Sequence, residues 1–174
     1  YGAYRDLEKA YKAGKVRAIG VSNFFPDHLI DLASNMEIAP MVNQVETHVF
    51  NQQHEARKIM DEFGTRIMSW GPLAEGRNGL FTNPVLAKIG EKHGKTTAQV
   101  ALRWLLQNDV IIIPKTVHKE RMEENLSLLD FELDADDMRT IATLDTAHSL
   151  FLDHHDGQVT KQFMEWRALV KPAE

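Results

Sequence analysis

The sequence contains no cysteine. That excludes a disulfide-stapled scaffold, a zinc centre built on thiolates and any cysteine nucleophile, and it fits a reducing compartment. No apolar run comes near the roughly 18–20 residues that a membrane-spanning helix requires, and no signal-peptide pattern opens the chain. An excess of positive charge is also lacking: 20 Lys and Arg stand against 25 Asp and Glu, a net charge of −5. Nucleic-acid binding normally rests on a basic surface, so that class is disfavoured. The two common nucleotide-binding signatures are missing as well. No candidate strand is followed by Gly-x-Gly-x-x-Gly. Gly71 and Gly76 have the spacing of a P-loop, but Arg77-Asn78 stand where Lys-Ser/Thr is required. What is present is a globular composition, 43% hydrophobic and 26% charged over 174 residues, suited to one domain spanning 1–174 with a sizeable core. The expectation is a cytoplasmic α/β domain with neither a membrane nor a nucleic-acid partner.

Four segments read as buried parallel strands, apolar or β-branched and bounded by turn residues: Val16–Ser22, Met41–Glu46, Arg66–Trp70 and Val110–Pro114. Helical patterns separate them. Tyr4, Leu7 and Tyr11 keep helical spacing ahead of Gly14, and Pro26 occupies a first helical position before Leu29, Ile30, Leu32 and Ala33. Asn51 is placed to cap a helix with Ala56, Ile59, Met60 and Phe63 inside and Gly64 as its stop. Thr96 and Gln99 form a capping box before Val100–Leu105. Met122, Leu126 and Leu129 mark one more helix, and Asp134 caps another with Met138, Ile141 and Leu144 on its inner face. The strand starts at 16, 41, 66 and 110 lie 25, 25 and 44 residues apart, the long interval holding an extra loop and helix over about 74–95. This is a βα repeat, which implies a parallel sheet with right-handed crossovers. Two architectures suit it: a small doubly wound sheet, or the second half of a (β/α)₈ barrel, which takes about 250 residues when complete. The stretch 146–174 has no clear period and reads as an irregular C-terminal tail.

In both architectures ligands bind at the carboxyl ends of the strands, and all four candidate strands end in hydrogen-bonding groups. The first ends in Ser22-Asn23, the second carries Asn43-Gln44 and Glu46, the third runs into Trp70-Gly71-Pro72-Leu73, and the fourth into Lys115-Thr116. One such residue would serve the loop backbone; four sets in succession point to a shared ligand site. Lys115 and Thr116 with Arg121 on the next helix suit an anion at a helix N-terminus. Gly71, Gly76 and Gly79 would let a loop follow phosphates. Trp70 is either core or a platform for a planar ring. The run Asp153-His154-His155-Asp156 lacks a spacing that would converge on an ion, so no metal is expected.

These motifs resemble a known family. The run Gly14–Phe24, then Asn43-Gln44-Val45-Glu46, Ser69-Trp70-Gly71-Pro72-Leu73, and Ile113-Pro114-Lys115-Thr116 with Arg121 and Asn125 are similar to aldo-keto reductases, in family order from the first residues to about 145. The Trp-Gly-Pro-Leu form is most like bacterial members of the 2,5-diketogluconate-reductase type. The resemblance implies a (β/α)₈ TIM barrel, of which this chain supplies the last four βα units plus a C-terminal helix and tail. It implies NADP(H) bound in extended form and hydride transfer to a small aldehyde or ketone. By motif position Ser22, Asn23 and Gln44 would hold the nicotinamide carboxamide, and Trp70 would stack on its ring. Gly71, Pro72 and Leu73 would pass the pyrophosphate. Lys115, Thr116 and Arg121 would take the 2′-phosphate, with Val117 beside them, and Asn125 the adenine. The family's catalytic Tyr, Asp, Lys and His lie on its first four βα units. Tyr1, Tyr4 and Tyr11 precede the first strand here and align with none of them, so no catalytic residue is expected in this chain. The resemblance thus implies a truncated part of a longer monomeric enzyme, inactive alone, whose substrate pocket is shared with the tail near Phe151, Phe163 and Trp166. Two other readings stand beside it: a non-catalytic nicotinamide-binding module, and a flavodoxin-like domain.

Overall fold

The computed structural model describes residues 1–153 and 156–169. Its elements run α1 (Gly2–Lys12), β1 (Gly20–Ser22), α2 (Pro26–Asn35), β2 (Val42–Glu46), α3 (His54–Glu62), β3 (Arg66–Trp70), a kinked 3₁₀ segment (Ala74–Thr82), α4 (Pro84–His93), α5 (Thr97–Gln107), β4 (Ile111–Ile112), α6 (Lys119–Leu126), α7 (Ala135–Ala142) and α8 (Gly157–Leu169). The strands form one parallel sheet in the order β1-β2-β3-β4. β2 and β3 pair over five residues, from Val42 beside Arg66 to Glu46 beside Trp70. Side chains alternate across a strand, and here one parity is buried. Val45 and Ile67 join Leu29, Met60, Leu86, Val100, Leu105 and Ile141 in the main core, so α2, α3, α4, α5 and α7 all pack on that face. On the opposite parity Gln44, Met68 and Trp70 are only half-buried, while Glu46 at the strand end is buried. The strands are therefore covered on one face and not on both, as their apolar composition had suggested.

The two outer strands are shorter than their sequence patterns. Pairing of β1 begins only at Gly20, where β2 comes so close that a Cβ would lie 2.3 Å from the Val42 carbonyl oxygen; no residue but glycine fits there. β4 is confined to Ile111–Ile112, because Asp109 turns the chain at φ 56° and Pro114 has no N–H to donate. Asn51 does not cap α3: it exchanges backbone hydrogen bonds with His48, and the helix starts after Gln53 at φ 59°. In α6, Met122 and Leu126 are exposed, as is Leu129 beyond it, and the residue that reaches the interior is Leu128. The tail is not irregular throughout, since α8 occupies 157–169. Its signal was the spacing of Val159, Phe163 and Trp166, interrupted by polar residues at most other positions. His154 and His155 of the acidic–histidine run lie outside the described residues. Among the described residues no group of side chains could hold a metal ion, and no helix is long and apolar enough to cross a membrane.

Other local signals correspond to what forms. Pro26 is at the first position of α2, and Thr96–Gln99 closes a complete capping box on α5. Asp134 does the same for α7, with Asp137 as its reciprocal partner. That second box is also the seam between α4 and α7. Lys92 Nζ lies 2.5 Å from Asp134 and 2.9 Å from Asp137, and His93 Nε2 lies 2.7 Å from Asp137. The Lys92 ammonium, helped by the N–H groups of Asp137 and Asp136, holds the Asp134 carboxyl down at about 2. A depressed carboxylate stabilises the fold at all pH values above its unfolded pKa, about 3.9, and that contribution is lost as pH falls through the folded value. The urea midpoint should therefore fall between pH 4 and pH 2. In Lys92→Ala this part of the acid limb should flatten, which a pH series of equilibrium unfolding would show.

Candidate cofactor site

Because all strands run parallel, the carboxyl ends of β1, β2 and β3 meet at one end of the sheet, and register sets which residues are neighbours. Ser22 stands beside Gln44, Gln44 beside Met68, and Glu46 beside Trp70. The Gln44 carbonyl accepts both the Ser22 hydroxyl, at 3.0 Å, and the Asn23 N–H, at 2.9 Å. Asn23 takes a left-handed conformation, φ 54°, which Asn tolerates better than most residues. This turns its side chain toward β3, where its Oδ1 accepts the Trp70 indole N–H at 2.8 Å. The Gln44 amide donates to Met68 Sδ at 3.3 Å. Ser22, Asn23, Gln44 and Trp70 thus form one connected patch.

Asn43, on the other parity of β2, plays a different part. It is fully buried, and its amide spans the backbone of Phe24, accepting the N–H at 3.3 Å and donating to the C=O at 2.8 Å. It fixes the loop that carries Asn23 and does not itself face the patch.

A second group gathers past the carboxyl end of β4, at the opposite edge of the sheet from β1. Lys115, Thr116, Arg121 and Asn125 line one cavity of about 270 Å³ together with Leu73, Phe81 and Glu124. Thr96, Thr97 and Ala98 close it, so it also abuts the N-terminus of α5, where backbone N–H groups favour negative charge. Thr116 is held by accepting the His118 N–H at 3.2 Å. Among the described residues neither Lys115 nor Arg121 enters an ion pair, although Lys119 on the same helix pairs with Glu123 at 3.8 Å. Gly71, at φ 65°, and Pro72 connect the patch to this cavity through Leu73. Val117 is 71% exposed and does not line the cavity. Phe81 and Glu124 were not singled out from the sequence. Phe81 had no signal beyond its hydrophobicity, whereas Glu124 lies three residues after Arg121 on α6 and shares its face of the helix.

A larger cavity of about 510 Å³ opens beside Trp70, between Phe24, Gln53 and Glu46 on one side and His148, Ser149 and Leu152 on the other. The C-terminal segment therefore reaches the patch. Phe151 meets the Trp70 ring edge-to-face at 5.0 Å, and the Arg77 guanidinium lies 4.2 Å over the Phe151 ring.

Known proteins match this chain over most of its length. The aldo/keto reductase family model matches residues 2–146. A glyoxal reductase from Bacillus subtilis is 49% identical over 141 residues, which cover 81% of this chain and 50% of that protein. An aldo-keto reductase from a Medee basin deep-sea metagenome library superposes with a TM-score of 0.84 at 40% identity, over 88% of this chain and 57% of the other. A point mutant of Gox0644 crystallised with NADPH matches with a TM-score of 0.78 at 42% identity, over 82% and 52% of the two chains. The chain belongs to the aldo/keto reductase family, and its four βα units are part of that family's TIM barrel. It spans about half the length of the relatives it matches.

The position of Asn43 yields a stability test. Asn43→Ala removes both bonds to Phe24 and leaves a cavity, so it should cost about 2–4 kcal/mol by the usual range for buried hydrogen bonds and lost side-chain volume. Denaturant unfolding of the variant against wild type measures it.

Proposed function

We propose that this chain contributes the cofactor-holding half of an NADPH-dependent reductase acting on small aldehydes or ketones, with the proton donor supplied from outside its own residues. The observation that carries the reading is the convergence of Lys115, Thr116, Arg121 and Asn125 in one cavity. Two cations without ion-pair partners among the described residues, a hydroxyl and an amide make a donor set for a phosphate monoester on the ribose of a nucleoside. The neighbouring helix N-terminus adds to the same potential. Glu124 in that cavity is an acceptor suited to an exocyclic amino group, and Phe81 offers an apolar face. The residues fit NADP(H) better than NAD(H), whose ribose hydroxyl would leave the cations unmatched.

When bound, the nicotinamide supplies the hydride that reduces a carbonyl carbon. The chain's own residues hold and orient it. Trp70 provides a flat surface for the ring, its position set by the indole bond to Asn23. The Asn23 amide N–H groups, the Gln44 amide oxygen and the Ser22 hydroxyl offer donors and acceptors for a carboxamide. Gly71, Pro72 and Leu73 lead from there to the phosphate-binding cavity. The substrate class follows the relatives named as reductases of small carbonyl compounds, the Bacillus subtilis glyoxal reductase among them.

Cofactor discrimination tests the reading. A charge-assisted hydrogen bond contributes about 1.5–3 kcal/mol, so Arg121→Ala should weaken NADPH binding roughly 10- to 150-fold while NADH binding stays within about twofold. Dissociation constants for both cofactors, measured on the intact protein at fixed salt, decide it. Equal losses for both would make Arg121 structural and place the phosphate elsewhere.

A further inference from the structure

Glu46 is not used by the proposed function, yet it is 5% exposed at the end of β2, beside Trp70. Burying an ionised carboxylate is costly unless donors replace its water, and here they come from the loop that follows β2 and from the C-terminal segment. His48 Nε2 lies 3.0 Å from Oε1, the Leu150 N–H donates to the same oxygen at 2.8 Å, and the Ser149 hydroxyl donates to Oε2. His48 is itself oriented. Its Nδ1 accepts the Phe50 N–H at 3.2 Å, so the ring proton sits on Nε2, facing Glu46. Burial alone would push the carboxyl up, but the bonds from His48, Ser149 and Leu150 outweigh it and hold the group below its ordinary range.

Ser149 relays this anchor. Its oxygen accepts the N–H groups of Phe151 and Leu152, both at 3.0 Å, so one hydroxyl ties the carboxylate to a tight turn. That turn brings Phe151 to Trp70, and Arg77 closes over it, donating to the Leu150 carbonyl at 2.6 Å. Phe151 also packs on Gly71, where a Cβ would stand 3.6 Å from its ring. Each of the three partners of the carboxylate, His48, Ser149 and Leu150, is a donor. An amide in its place would have to set its NH₂ against one of them.

We propose that Glu46 is a positioning residue: acting through Ser149, it sets Phe151 against Trp70 and fixes the turn whose Ser149 and Leu152 line the cavity beside Trp70, the space in which a carbonyl substrate is held. The substrate part of this inference rests on the reading of Trp70 as the nicotinamide's surface, whereas the linkage from Glu46 to Phe151 does not.

The test uses the intact protein with Ser149→Ala, Ser149→Thr and Glu46→Gln. Without cofactor, amide hydrogen exchange at Phe151 and Leu152 should accelerate about tenfold or more in Ser149→Ala and Glu46→Gln, the scale of one lost hydrogen bond. It should stay near wild type in Ser149→Thr, which keeps the hydroxyl, and the amides of β2 and β3 should be unaffected. In turnover, Ser149→Ala should raise KM for glyoxal roughly 5- to 20-fold, with kcat and the NADPH dissociation constant within about twofold, as expected for lost uniform binding. Unchanged exchange and KM in Ser149→Ala would overturn the proposal, and so would faster exchange spread evenly over the sheet. A wild-type protein that neither binds NADPH nor reduces glyoxal would overturn the functional reading, while the exchange pattern would still decide the linkage.

Discussion

Parallel pairing of β2 with β3 is the constraint from which the rest of the structure follows. Five residues in register place Glu46 beside Trp70, and β1 and β4 extend the same direction outward. A parallel ladder leaves all carboxyl ends at one end of the sheet, so the polar residues that close β1, β2 and β3 become neighbours although they lie about 25 residues apart in the chain. Each return connection needs a helix, and those helices all pack on the parity that holds Val45 and Ile67. Of the other parity, Gln44, Met68 and Trp70 are left half-buried, available to a ligand or to further protein.

Buried polar groups then lock the loops at that end. Asn43 holds both backbone groups of Phe24, and Gln52 donates to the carbonyls of Val49 and Ile141. Thr146 binds the Phe50 carbonyl through both its N–H, at 2.9 Å, and its hydroxyl, at 2.7 Å. Each of these groups would carry a desolvation cost if left unpaired, so each permits few alternative loop positions. The result is a rigid end on β1–β3, to which the C-terminal segment is fastened by Ser149, Leu150 and Arg77. The cavity near α6 is lined differently: Lys115 and Arg121 are exposed, and α6 buries none of its own side chains.

Much of this was legible from local signals. The βα spacing, Pro26 at the start of α2, the capping boxes of α5 and α7, and the segment inserted after β3 are short-range features, settled by residues within a few positions of one another. The motifs that carry the family resemblance also lie in unbroken runs or on one helix face. The errors arose where a pattern lacked the partner it implied. Val16–Ile19 is β-branched and apolar in part, but β2 pairs only from Gly20 onward. Met122, Leu126 and Leu129 keep helical spacing, yet Leu128 is the residue that finds the interior. Asn51 has the chemistry of a cap and is instead taken up by its exchange with His48.

The sequence by itself determined the order and type of most elements, the parallel direction of the strands and the polar chemistry of their ends, because these depend on periodicity and on single residues at turns. Only the tertiary structure decided which polar groups meet. Trp70 with Asn23, Glu46 with Ser149, and Phe151 between Trp70 and Arg77 are contacts across 47 to 103 residues. No local signal encodes such pairs: strand register and the burial cost of unpaired polar groups select them only once the chain has closed on itself.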